Sequence, residues 1–89
     1  MEKLITALLN TTEIVTFIFN GTGFSSIISS KIINIEEFAD GITLRLQDEN
    51  EIFISSLINE VVGVNSNGDA TMFSLKNAHN ELIEVLVVN

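Results

Sequence analysis

The residues with the most chemical potential are few and far apart. Asn65, Asn67 and Asp69, with Gly68 before the last, have the alternating oxygen donors of a calcium loop. Counted from Asn65, such a loop needs glycine at its sixth position and a bidentate glutamate at its twelfth. Ala70 and Lys76 stand there instead. Two neutral amides and one carboxylate hold calcium weakly, so this segment reads as a polar turn. His79 is the one histidine and there is no cysteine, which leaves zinc without the nitrogen and sulfur ligands it favours. No serine sits in a Gly-x-Ser-x-Gly elbow. Ser25 follows Gly21-Thr22-Gly23 into an apolar, β-branched stretch rather than a helix. The same context removes Gly21-x-Gly23 as a phosphate cradle, which needs amides converging at a helix N-terminus.

Carboxylates are more plentiful. Glu36-Glu37 and Asp48-Glu49, followed by Glu51, are adjacent or nearly adjacent pairs. General acid–base work on a glycoside needs two carboxyl groups facing each other across a cleft. Neighbours in a strand point to opposite faces, and those in a turn point to water. A binding role suits them better: Glu36, Glu37, Asp40, Asp48, Glu49 and Glu51 bracket two consecutive turns. An acidic rim there would imitate a phosphate backbone and fill a basic groove on a nucleic-acid-binding protein. Catalytic, metal-ligating and cofactor-binding residues are not expected. The chain reads as a non-enzyme.

Composition bounds the rest. Eighty-nine residues make one domain, spanning residues 1–89. A chain of this size buries only about 60% of the surface its unfolded form exposes. Without disulfides or a metal, stability must come from apolar packing, helped by association. Twelve acidic residues against four cations give a net charge of −8. That field repels nucleic acid and anionic lipid, and four cations cannot build a stripe of phosphate contacts. Direct nucleic-acid binding is not expected. No run approaches 18 apolar residues, so no span is expected. The N-terminus lacks a basic region followed by a long apolar one, and the expected compartment is the cytoplasm.

The elements that position these residues are mostly strands. Residues 2–9 place Leu4, Ile5, Leu8 and Leu9 on one helical stripe, a helix too short to stand undocked. Thr12 to Phe19 is a strand, with Asn20-Gly21 as its turn. Phe24 to Phe38 is a long strand that should bend near Ser29–Lys31, where an isoleucine pair gives way to serines and then to a second pair. Asp40-Gly41 turns into Ile42–Gln47, a clean alternation. Glu51–Ser55 follows, then a connector over Ser56–Glu60 and a strand at Val61–Val64. Ala70–Lys76 and Glu81–Val88 form a last hairpin across Asn77–Asn80. The expected fold is mainly β: a short N-terminal helix, then an antiparallel meander closing into a small barrel or rolled sheet.

This order of elements resembles the Sm-like family of small SH3-type barrels, with Thr12 to Val64 laid on that plan. The resemblance implies a barrel and assembly into rings through edge strands. It does not imply RNA binding, since Ser55-Ser56 stand where the family has an Arg-Gly or Lys-His type of pair. The hairpin over residues 70–88 lies outside the plan.

Ile14-Val15, Phe17-Ile18-Phe19, Ile52-Phe53-Ile54 and Val85-Leu86-Val87-Val88 do not alternate. Both faces of these strands are apolar and both need cover. Hence the expected function is a protein–protein interaction or assembly module, homo-oligomeric, with Phe17, Phe19, Phe53, Val85 and Val87 as candidates for self-association. One alternative is an inhibitor from a phage or other mobile element, acting as a nucleic-acid mimic through the acidic rim. Another is a small-ligand binder.

Overall fold

A computed structural model describes residues 1–88. Helix α1 covers Glu2–Asn10. The strands are β1 Val15–Gly21, β2 Phe24–Ser30, β3 Ile32–Phe38, β4 Gly41–Leu46, β5 Glu51–Ser55, β6 Glu60–Ser66, β7 Ala70–Lys76 and β8 Leu82–Val88. The mainly β expectation holds. The strands divide into two antiparallel sheets, ordered β2-β1-β8-β7-β6 and β3-β4-β5. No ladder closes them into a barrel among the described residues. The hairpin outside the family plan is no appendage, because β8 is the central strand of the larger sheet.

The bend expected near Ser29–Lys31 is where the chain changes sheets: β2 ends at Ser30 and β3 begins at Ile32. Ser30 is buried at this corner and donates to the Lys31 carbonyl at 3.2 Å. That carbonyl also accepts from the Gln47 amide at 2.9 Å. Switching sheets swaps the face that must be apolar, and this is why the serine–isoleucine pattern slips there.

The first turn lies two residues later than Asn20-Gly21. Asn20 and Gly21 belong to β1 and pair with Ser25 and Phe24. The loop is Thr22-Gly23, with Gly23 at φ +80°, the left-handed backbone that glycine adopts at no steric cost. The later turn lets the Phe24 ring lie over Gly21, where a side chain on Gly21 would collide with it. An aromatic ring thus shields a bare strand position.

Among the described residues, thirteen apolar side chains form the core, from Leu4 and Leu8 on α1 to Val85 and Val87 on β8. Phe17 is fully buried and stacks on Phe19 with ring centroids 6.4 Å apart. Leu4 and Leu8 dock α1, as a nine-residue helix requires. The non-alternating runs resolve into inward and outward rows. Val15 and Phe17, Ile52 and Ile54, and Val85 and Val87 face in. Ile18 and Leu86 are half-buried on the outer face of their sheet, and Phe53 is 52% exposed.

Candidate interaction surface

The chemically suggestive residues lie in separate turns and strands. His79 is exposed in the turn between β7 and β8, its amide donating to Asn77 Oδ1 at 2.9 Å. Asn65 lies in β6, and Asn67 and Asp69 are exposed in the turn to β7, where the Asn67 amide donates to the Ala70 carbonyl at 3.1 Å. Among the described residues, no group of three or more His, Cys, Asp or Glu side chains could hold a metal ion.

The six acids are spread over the small sheet. Asp40 lies before β4, and Asp48 and Glu49 lie after it. A strand of this length holds the two turns roughly 20 Å apart. Glu36 and Glu37 are adjacent in β3, opposite Thr43 and Ile42, and so point to opposite faces. Glu51 pairs with Arg45 at 3.2 Å, both side chains about half exposed. Asp48 folds back on its own loop, accepting from the Asn50 amide at 3.1 Å and from Asn50 Nδ2 at 3.0 Å. The structure therefore brings Asp48 and Glu49 together and separates them from Asp40.

Glu49 has φ +72°, a left-handed conformation that costs an L-residue about 1–2 kcal/mol. Glu49→Gly is expected to raise stability by about 0.5–1 kcal/mol, part of the relief being lost to glycine's extra freedom in the unfolded chain. Chemical denaturation of the two proteins side by side checks it, and a lower midpoint for the variant would contradict the turn geometry.

Of the five residues expected to self-associate, Phe17, Val85 and Val87 are in the core. They are packed inside and offer nothing to a second chain. Phe19 is half-buried, and Phe53 is exposed. Sequence alone could not say which of two apolar rows faces in, so four of the five, Phe19 included beside Phe17, lie on inner rows and only Phe53 on an outer one. The exposed apolar residues that reasoning missed include Phe24 and Ile27 on β2, Phe38 on β3, and Val62 and Val64 on β6. Each belongs to a strand that the sheet topology places at an edge, which periodicity alone does not reveal.

Phe38 and Phe53 share one patch. Gly41 pairs with Phe38 on one side and Ser55 on the other, and the Phe53 ring tip lies 2.9 Å from where a Cβ on Gly41 would sit. A groove of about 510 Å³ opens nearby between the ends of β1 and β2 and strand β5, lined by Phe19, Phe24, Ile28, Ile52, Phe53 and Ile58 among others. Asn59 also lines it. Its Nδ2 donates to the Ser55 carbonyl at 3.0 Å, while its buried Oδ1 has no hydrogen-bond partner among the described residues. The arrangement offers apolar contact and strand edges.

No protein-family model matches this chain, and no curated protein or solved structure matches it. Its fold and surface define a small, acidic, mainly β domain with open strand edges. No helix among the described residues is long and apolar enough to cross a membrane.

Proposed function

We propose that this chain is a non-enzymatic protein–protein interaction module that assembles with copies of itself. The observation that carries the reading is the coincidence of open strand edges with exposed apolar side chains. Phe24, Ile27, Ile33, Phe38, Val62 and Val64 are all about half exposed or more, and all lie on edge strands. An edge strand presents unpaired amides and carbonyls, and apolar side chains beside them favour pairing with another chain. The formal charge of −8 keeps the free chain soluble while leaving association to uncharged stretches. The acids are divided between both ends of β4 and both faces of its sheet, which gives the nucleic-acid-mimic alternative no single rim to act through.

The test is multi-angle light scattering across the micromolar to millimolar range. The expected result is a mass that rises with concentration above the 9.8 kDa of one chain. A mass that stays at one chain throughout would remove the reading.

A further inference from the structure

We propose that the open edge of β2 pairs with the β2 edge of a second copy, antiparallel, across a two-fold axis beside Ile27. The inference rests on the self-association reading and names its contact.

The four edge strands are not equally protected. Natural sheets blunt their edges with charges, bulges, proline or shortness. β3 carries Glu36 and Glu37, and its pairing shifts between Ile32 and Asn34. β5 is only five residues long and opens on Glu51. β6 opens on Glu60 and has a register shift between Val61 and Gly63. β2 has none of these devices. It runs seven residues, Phe-Ser-Ser-Ile-Ile-Ser-Ser, without charge or proline, in unbroken register with β1. Ile27 is 66% exposed and Phe24 53%.

The backbone of this edge is self-complementary. A two-residue loop makes the flanking pair, Gly21 and Phe24, a hydrogen-bonded pair. Bonded and non-bonded pairs alternate along an antiparallel ladder. The amides and carbonyls of Ser25, Ile27 and Ser29 therefore point away from β1, toward the open edge. A two-fold axis perpendicular to the sheet keeps outward residues on the same side in both copies. Centred on Ile27, it sets Ile27 against its own copy and Ser25 against Ser29, so each free donor meets a free acceptor. The outward row reads Ser-Ile-Ser in either direction. Both serine hydroxyls are already held by β1: Ser25 Oγ donates to Asn20 Oδ1 at 2.9 Å, and Ser29 Oγ lies 3.0 Å from Thr16 Oγ1. Ile27 is left as the apolar side chain at the centre of the seam.

Charge favours a second copy as the occupant. Two chains of net charge −8 repel almost everywhere, but Ile14 to Ser30 contains no charged residue. β2 is a strip where like molecules can approach without opposing charges, and it offers a charged partner nothing to recognise. Seven residues a side is far fewer than the about 20–30 of a standard stable interface, so this dimer is weak, with Kd in the micromolar range or above. The two larger sheets then join into one continuous sheet.

Sedimentation velocity on the wild type, Ile27→Lys and Ile27→Glu tests the contact. Directly opposed like charges destabilise a strand pair and opposite charges support it. Each variant alone is expected to weaken the dimer at least tenfold, while an equimolar mixture restores it. Circular dichroism should show both variants folded, because the side chain is mostly exposed. Ile27→Cys gives a second readout, since the chain has no other cysteine. Directly opposed, bonded strand residues have Cα atoms about 5.5 Å apart, within disulfide range. Mild oxidation should link Ile27→Cys far faster than Val62→Cys on β6. A wild-type dimer unaffected by either charge would overturn the β2 contact while leaving self-association standing. Failure of the mixture to recover, or equal cross-linking at both cysteines, would overturn the two-fold register. A wild type that stays monomeric to millimolar concentration would overturn both the contact and the reading beneath it.

Discussion

Phe17→Ala is expected to cost about 3–5 kcal/mol, the range for truncating a fully buried phenylalanine. Phe17 has no exposed surface, pairs with Val85 on one side and Ile28 on the other, and stacks on Phe19. The surrounding side chains belong to a ladder and cannot collapse far into the space. Small domains sit at the lower end of the about 5–15 kcal/mol that folded proteins command, so this loss takes most of the stability. With a urea dependence of about 1 kcal/mol/M for so short a chain, the midpoint should fall by more than about 2 M. Ile18→Ala is the control. Ile18 is adjacent but lies half-buried on the outer face, and its loss should be about 1 kcal/mol. Equal effects for the two substitutions would mean that the faces of β1 have been assigned the wrong way round.

Gly41→Ala is expected to be nearly as damaging, for a different reason. Gly41 is buried at the start of β4 with φ +155°, in a region essentially reserved for glycine, at a strain of about 1–3 kcal/mol for other residues. A Cβ there would also run into the Ile54 carbonyl oxygen and lie 2.9 Å from Ser55 Cα. Both are backbone atoms of the paired strand β5, which can yield only by opening the ladder, and overpacking of this kind adds about 1–3 kcal/mol. Thermal unfolding should show a drop well beyond that of Gly68→Ala. Gly68, at φ +89°, has nothing within 4 Å of its would-be Cβ, so only backbone strain applies there. A Gly41→Ala protein that melts with the wild type would refute the close approach of β4 and β5.

The elements were largely legible because each carries its own local signature. Glu51–Ser55 and Ala70–Lys76 are observed at the bounds read from their flanking turns, and the helix ends one residue beyond its apolar stripe. The first turn was misplaced because Asn20-Gly21 and Thr22-Gly23 are both competent loops. The structure places the loop at Thr22-Gly23, with the Phe24 ring lying over Gly21 across the strand pair. The candidate surface was less legible. An acidic cluster can be counted in sequence, but whether two turns adjoin depends on which ends of β4 they occupy.

The residue inventory, with one histidine, no cysteine, four cations and twelve acids, was decided by sequence. Sequence likewise determined that too much of this chain is apolar strand. Tertiary structure alone decided where that excess went. Side chains in a strand alternate with a period of two, so when both rows are apolar, as in Phe17-Ile18-Phe19, the pattern has no preferred face. The choice then falls to packing between sheets, which put Phe17, Val85 and Val87 inside. The division into two sheets likewise set β2 at an edge, with Ile27 open to a second chain.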